Sequence, residues 1–109
     1  MGITKTNLFT EEQNELAQMA KAFGHPARIA IIQYLLKANQ CINGDLVQEL
    51  GLAQATISQH LKELKSLGII QGTVEGTAMC YCINHETWEK VSGSFMGLFE
   101  QYKPMNSCC

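Results

Sequence analysis

Residues 45–70 have the sequence DLVQELGLAQATISQHLKELKSLGII, and this stretch is the most informative part of the chain about its fold. Apolar residues recur every three or four positions on both sides of Gly51, which is the spacing of a helix with one buried face. Asn43 can cap the first of these two helices, and Gly51 can end it in the left-handed conformation that glycine tolerates. The second helix begins a few residues later and ends at Gly68. Two helices joined by so tight a turn predict a helix-turn-helix.

A β-hairpin is predicted directly after the helix-turn-helix. Residues 69–74 and 78–83 are β-prone runs, and the turn between them contains Gly76. A helix-turn-helix followed by a hairpin is the arrangement of a winged helix-turn-helix, in which the hairpin forms the wing. The sequence therefore predicts this fold for the centre of the chain.

Further helices are predicted on both sides of this module. Thr10 and Gln13 have the spacing of a capping box, so a first helix begins there, and Gly24 ends it. Pro26 suits the first turn of a second helix. Near the other end, Asn84 can cap a last helix whose apolar residues alternate at spacings of three and four, which is typical of a helix that packs against another. These apolar residues are Trp88, Val91, Phe95, Leu98 and Tyr102.

The complete order predicts a mainly α fold with a β-hairpin wing, α-α-α-α-β-β-α. We expect residues 10–102 to form this domain, residues 1–9 to be a flexible N-terminus, and residues 103–109 to be a tail containing cysteine. A chain of 109 residues fits a single domain. Its 46% hydrophobic and 17% charged residues are typical of a soluble globular protein.

Charge and cysteine content limit the classes of function. The formal net charge of −2 excludes a strongly basic binder of polyanions but not a protein with a local basic face. No apolar run approaches the ~20 residues that span a bilayer, and no signal peptide opens the chain, so we expect a cytoplasmic protein without a membrane partner. Cysteines stay reduced in that compartment, so the five cysteines are expected to be ligands, redox groups or core residues.

The second helix of the helix-turn-helix carries a polar face that suits nucleic acid. Glutamine can bind adenine through two hydrogen bonds, serine and threonine can bind bases or phosphates, and lysine suits phosphates. The candidate residues are Gln54, Thr56, Ser58, Gln59, His60 and Lys62. A merely solvated helix would show the same residue types, but the helix-turn-helix spacing and the wing favour DNA binding. Residues 45–75 hold four acidic and two basic residues, which predicts modest affinity per protomer and a shallow salt dependence.

Several segments together resemble the ArsR/SmtB family of bacterial and archaeal winged-helix repressors, which sense metals and metalloids. They are DLVQELGL at 45–52, ATISQHLKEL at 55–64, LGII at 67–70, the Glu75-Gly76 wing turn and FGHPAR at 23–28. The resemblance covers roughly residues 10–102. It implies a homodimer built from the first and last helices, bound to double-stranded operator DNA until an inducer releases it. It also implies DNA contacts by Gln54, Thr56, Ser58, Gln59 and His60, with His60 bonding a phosphate.

The cysteines are the candidate inducer ligands. The family's Cys-x-Cys before the third helix is not matched, because Cys41 stands alone, and the last helix lacks the family's zinc ligands. Cys80 and Cys82 lie two residues apart in the second wing strand, so they share one face, which we expect to point away from the core. Cys108 and Cys109 can add sulfurs from the tail. Thiolates favour soft ions, so we predict trivalent arsenic or antimony, or another soft metal ion, as inducer and no constitutive cofactor.

Three alternatives stay open. The cysteines can be ordinary packing residues, which is the preferred interpretation for Cys41. The thiols can instead form a redox or persulfide sensor on the same repressor fold. The winged helix can also serve only protein contacts, an interpretation to which the acidic module gives some weight. An enzyme is not expected, because the sequence shows no glycine-rich phosphate loop, nucleophile–base pair or paired catalytic carboxylates.

Overall fold

A computed structural model describes residues 8–38, 46–75 and 78–104, and it has the predicted order of elements. The helices and strands are α1 Glu11–Ala22, α2 Pro26–Ala38, α3 Leu46–Leu50, α4 Gln54–Ser66, β1 Ile70–Glu75, β2 Ala78–Ile83 and α5 His85–Phe99. The predicted mainly α fold with a β-hairpin wing is therefore confirmed. Within the described ranges, every helix is too short or too polar to cross a membrane.

Side-chain caps begin the first and last helices where the sequence predicted them. The Thr10 hydroxyl accepts from the Gln13 backbone N–H, and the Gln13 side chain accepts from the Thr10 N–H, both at 3.0 Å. Asn84 Oδ1 accepts from the Thr87 N–H at 3.2 Å. Such caps satisfy backbone donors that have no partner inside the helix. The cap predicted at Asn43 lies outside the described residues.

Two glycines in the left-handed region shape the turn inside the helix-turn-helix and its exit into the wing. Gly51 has φ 68° and Gly68 has φ 82°. Gly51 lets the chain leave α3 and enter α4 after only three residues, as predicted. Gly68 turns the chain from α4 into the wing, where the Ile69 carbonyl accepts from the Asn84 N–H at 2.9 Å.

The wing is a two-stranded antiparallel hairpin whose base is part of the core. Ile70 pairs with Ile83, and Thr73 pairs with Cys80. Ile69 and Ile70 are buried together with Ile31 of α2 and Leu64 of α4. Each such burial contributes about 1.5–3 kcal/mol relative to leaving the side chain in water. The position of α4 relative to α2 and the wing is therefore set by core packing.

The last helix is shorter than its apolar pattern predicted. α5 ends at Phe99, and Tyr102 lies beyond it with 75% of its surface exposed. Trp88, Val91 and Phe95 pack onto the core as expected. Tyr102 is therefore not a helical member of the predicted apolar seam, although the spacing alone included it.

Candidate nucleic-acid interface

α4 buries one face and exposes the face that carries most of the predicted DNA contacts. Ile57, Leu61 and Leu64 are buried in the core. The exposed candidates are Gln54, Thr56, Ser58, Gln59 and Lys62. The structure thus brings five of the six predicted residues to the surface of one helix. This set can present amide, hydroxyl and ammonium groups to a polyanion.

The N-terminal turn of α4 is suited to meeting a phosphate. Ala53 is the N-cap residue, and its methyl group cannot accept a hydrogen bond from the first-turn N–H groups. Backbone donors at a helix N-terminus and the helix dipole both favour an anion. From this turn, Gln54 Nε2 donates at 3.0 Å to Ser58 Oγ, one turn further along α4, which holds the two side chains together.

His60 is the candidate that the structure places differently. Its side chain is buried, with 8% of the residue exposed, so the prediction that it lies on the exposed polar face is wrong. The physical reason is its spacing: it follows Ile57 by three residues and precedes Leu64 by four, so it lies on the buried stripe of the helix. That spacing was visible in the sequence. Its predicted contact with DNA stays a prediction.

Two other residues from the α1–α2 region surround the imidazole of His60. Arg28 Nε donates to His60 Nδ1 at 3.3 Å, and the His25 ring centroid lies 4.5 Å from that of His60. Burial, followed by the proximity of His25 and Arg28, lowers the pKa of His60 below its ordinary value of 6.5. The neutral imidazole is thus favoured near pH 7, with Nδ1 as acceptor and the proton on Nε2.

Arg28 also reaches the end of the first helix, a contact that the sequence did not reveal. Its Nη1 donates to the Lys21 carbonyl oxygen at 2.6 Å. Lys21 lies in the last turn of α1, where carbonyls have no partner inside the helix, and its carbonyl also accepts from the Gly24 N–H at 3.2 Å. The FGHPAR segment at 23–28 was the available signal, but only as a family resemblance, since the partner on α4 is 32 residues away.

The two wing cysteines differ in exposure. Cys80 is buried, with 3% of its surface exposed, whereas Cys82 is half-buried and its Sγ lies 3.7 Å from the donating Gln71 Nε2. The expectation that both face outward is therefore wrong for Cys80. Alternation along a strand decides which face a side chain is on, but α2 packs beside β2, so strand alternation alone did not predict the exposure of Cys80.

No metal centre is formed by the part of the chain that the structure describes. Groups of three or more histidine, cysteine, aspartate or glutamate side chains close enough to hold an ion are absent from those residues. Cys41, Cys108 and Cys109 lie outside the described ranges. The predicted ligand set of Cys80, Cys82, Cys108 and Cys109 therefore remains a prediction.

α1 and α5 form a second surface with an apolar character. The two helices pack side by side, and Lys90 Nζ lies 3.2 Å from Glu15 Oε2 across them. Large apolar side chains at 45–76% exposure surround the ends of this pair: Leu8, Phe9, Met96, Leu98, Phe99 and Tyr102. Exposed apolar clusters of this kind are typical of surfaces that bind another protein.

Comparisons with known proteins place this fold among transcriptional regulators. The family model described as "Bacterial regulatory protein, arsR family" matches residues 25–71. The HTH-type transcriptional regulator MJ1325 of Methanocaldococcus jannaschii is 37% identical over 73 residues, which cover 67% of this chain and 82% of that protein. HlyU from Vibrio cholerae superimposes with a TM-score of 0.67 at 23% identity, covering 86% of this chain and 98% of that structure.

A third relative is CmtR of Mycobacterium tuberculosis, whose solved structure is described as a cadmium metal-sensor. It is 32% identical over 71 residues, which cover 65% of this chain but only 59% of the CmtR sequence. The structures superimpose with a TM-score of 0.56 at 26% identity, covering 86% of this chain and 95% of the solved CmtR structure.

The fold and these matches define a winged helix-turn-helix transcriptional regulator. The chain belongs to the arsR family, also called ArsR/SmtB, as its sequence resemblance indicated. The prediction that it is not an enzyme is confirmed by its membership in a family of regulators.

Proposed function

We propose that this chain is a homodimeric repressor that binds operator DNA through α4 and leaves it when a thiophilic inducer binds. The observation that carries the proposal is the polar, exposed face of α4 on a helix whose opposite face is locked in the core. A rigid helix with exposed amides and hydroxyls is what reading base edges in a major groove requires.

In the proposed dimer, a second copy of the chain supplies the other half of the DNA interface. A single copy holds Lys62 and Lys65 against four acidic residues between 45 and 75, so its own electrostatic attraction to DNA is small. A dimer doubles the contacts and presents two α4 helices to half-sites about one DNA turn apart. The apolar side chains around α1 and α5 support a second copy as the partner at that surface.

A soft, thiophilic ion is the inducer that the cysteine chemistry supports best. Cys80 and Cys82 lie two residues apart on β2, and CmtR, a relative, is described as a cadmium sensor. Trivalent arsenic or antimony, which take three sulfurs, suits two strand thiols with a third from the tail. Since Cys80 is buried, an ion that binds both thiols has to displace the cover over this strand, and that displacement couples binding to a change of shape.

The same burial keeps a thiol redox or persulfide sensor as the second candidate function. Cys82 is the more accessible of the two wing thiols. Oxidation can begin at one exposed thiol, whereas coordination of an ion by several thiols needs all of them to be accessible together. The two candidates therefore differ in the reagent that releases the DNA.

The proposal is tested with DNA from upstream of the protein's own gene, with and without arsenite. We expect arsenite to weaken binding 5–150-fold, the range of a typical coupling of about 1–3 kcal/mol. The Cys80→Ser/Cys82→Ser variant should stay bound, and Cys41→Ser is the matched control that should respond like the wild type. Equal release of the double variant would contradict the wing site. Release by peroxide or polysulfide but not by arsenite would favour the redox candidate.

A further inference from the structure

Arg28 connects three helices: α1, α2 and α4, the helix that carries the candidate DNA contacts. Its guanidinium donates to the Lys21 carbonyl oxygen at the end of α1 and to His60 Nδ1 on α4, while Arg28 itself belongs to α2. The His60 end of this connection is buried, whereas the carbonyl end is at the surface. One side chain thus links the outer helix α1 to the helix that carries the candidate DNA contacts.

We propose that Arg28 is a positioning residue for DNA binding, holding α4 against the end of α1 through the neutral imidazole of His60. This inference rests on the proposed function, because it concerns the orientation of the helix that binds DNA. Neither Arg28 nor His60 has to touch DNA for the effect. Core packing sets where α4 lies, and the link adds a polar restraint on its orientation. A displacement of about 1 Å would stretch paired hydrogen bonds to a base edge beyond their ordinary length of about 2.7–3.2 Å.

The chemistry of the link requires His60 to be uncharged. Nδ1 accepts a hydrogen bond only when it carries no proton, and a protonated imidazole has two donors and no acceptor. Protonation of His60 would therefore remove the Arg28 bond. It would also place a cation against the guanidinium and beside the ring of His25, which burial makes costly.

The groups around His60 favour its neutral form. His25 comes from the α1–α2 turn and is fixed there, because its Nδ1 accepts from the Ala27 N–H at 3.0 Å. Arg28 comes from α2, and the surface beside its guanidinium is lined by Lys21 of α1 and Glu63 of α4. Among these groups, His25 and Arg28 are the ones that act on His60, and both oppose a positive charge there.

The link also gives movement of α1 a route to α4. α1 packs against α5, with the Glu15–Lys90 ion pair between them. A shift of α1 along α5 moves the Lys21 carbonyl and, through Arg28, pulls on His60. DNA affinity then responds to the arrangement of α1 and α5 without a contact between those helices and DNA.

The variants that test this link separate its hydrogen bond from its charge. His60→Asn keeps an acceptor near the position of Nδ1 but cannot take up a proton. His60→Leu removes the acceptor and keeps the bulk, and Arg28→Lys keeps the charge but loses the planar fork that reaches two acceptors. His85→Asn is the matched control, because His85 is the exposed first residue of α5 and lies outside the cluster.

The readout is the affinity for upstream DNA, by fluorescence anisotropy, from about pH 8 down to the lowest pH at which thermal melting shows that each variant is folded. We expect wild type and His85→Asn to lose at least about fivefold in affinity at the acid end, which is a coupling of about 1 kcal/mol. His60→Asn should bind with no acid loss, and His60→Leu and Arg28→Lys should bind weakly at every pH. An acid loss in His60→Asn equal to that of the wild type, or wild-type affinity in folded Arg28→Lys, would overturn the link.

Nuclear magnetic resonance of the DNA-free protein adds a test that does not depend on DNA binding. The histidine nitrogen shifts should show His60 as the tautomer with its proton on Nε2, as the acceptor role of Nδ1 requires. A proton on Nδ1 would overturn the inference even if DNA binding is found. Failure of the wild type to bind upstream DNA at any pH would instead overturn the proposed function, together with the inference that rests on it.

Discussion

His60 lies beneath the exposed surface of α4 with its Nδ1 bonded to Arg28, so its protonation is linked to the stability of the fold. Burial and the two neighbouring basic groups lower its pKa in the folded protein below 6.5. Between the folded and unfolded pKa values the unfolded chain binds more protons. The contribution of His60 to the free energy of unfolding is therefore complete above about pH 6.5 and is lost as the pH falls through the folded-state pKa.

The prediction at this residue is a smaller acid loss of stability in His60→Asn than in the wild type. Asparagine cannot take up a proton on unfolding, so the pH-dependent part due to His60 disappears. Urea unfolding at pH values above and below 6.5 measures the difference, with His85→Asn as the control that should behave like the wild type. Equal acid losses in wild type and His60→Asn would show that His60 titrates normally in the fold.

The pH dependence of DNA binding also separates the two roles considered for His60. A histidine that bonds a phosphate, as the family resemblance implies, binds DNA more tightly when it is protonated. A histidine that accepts from Arg28 binds DNA less well when it is protonated. The sign of the acid effect on affinity therefore decides between contact and positioning.

Gly68 connects α4 to the wing in a backbone conformation, φ 82°, that favours glycine. We expect Gly68→Ala to lower the free energy of unfolding by about 1–2 kcal/mol, the cost of the left-handed region for a residue with a Cβ. The added methyl would meet Thr87 only at ordinary contact distance, 3.5 Å, so the loss reports backbone strain rather than a clash.

Gly24→Ala is the matched control for this substitution. Gly24 follows α1, is not in the left-handed region, and an added Cβ would lie 3.5 Å from the Lys21 carbonyl oxygen. Chemical unfolding should show a small change for Gly24→Ala and the larger loss for Gly68→Ala. Equal effects would mean that the conformation at Gly68 contributes nothing specific.

At the scale of elements, local signals were enough to predict the order of helices and strands and their caps. The Thr10–Gln13 box, the Asn84 cap and the two left-handed glycines each act on residues no more than three or four positions away. The neighbouring sequence was therefore enough to predict each of them. The exposed set on α4 was predictable for the same reason. The burial of His60 could also have been predicted from its spacing to Ile57 and Leu64, but histidine was assigned to the exposed face because its side chain is polar.

The remaining features depend on contacts between distant segments. Arg28 meets His60 across 32 positions, and the burial of Cys80 was not predictable from alternation along its own strand. Residue spacing predicts neither the Arg28–His60 contact nor the burial of Cys80, because both depend on how α2 packs against α4 and β2. The shortened α5 shows the converse case, in which an apolar spacing continued to Tyr102 after the helix had ended at Phe99.

At the scale of the whole molecule, equally exposed leucines on α5 and α2 offer a test of the proposed dimer surface. Leu98 on α5 and Leu36 on α2 are each 45% exposed. We expect Leu98→Glu to convert the proposed dimer to a monomer, because a charge would be buried against the second copy. Leu36→Glu is the matched control and should leave the dimer intact. Sedimentation velocity measures both, and a dimeric Leu98→Glu together with a monomeric Leu36→Glu would move the interface to α2.

The acidic balance of the winged helix bears on how the proposed dimer would bind DNA. With Lys62 and Lys65 as the basic residues of the stretch from 45 to 75, few phosphates are neutralised by each protomer. Each neutralised phosphate contributes a slope of about −0.9 in log K against log salt, so we expect a shallow dependence. We therefore expect most of the discrimination between DNA sequences to come from the uncharged side chains of α4.

Recognition of the operator by α4 is tested most directly by the effect of Gln59→Ala on binding to upstream DNA and to a scrambled fragment of equal length. Gln59 is exposed on α4, and Gln33, exposed on α2, is the matched control. Loss of a paired contact to a base costs about 1–3 kcal/mol, so Gln59→Ala should weaken binding to the upstream fragment roughly 5–150-fold while Gln33→Ala binds like the wild type. Binding to the scrambled fragment should change little. Equal affinity of wild type and Gln59→Ala for both fragments would contradict the claim that α4 reads the operator.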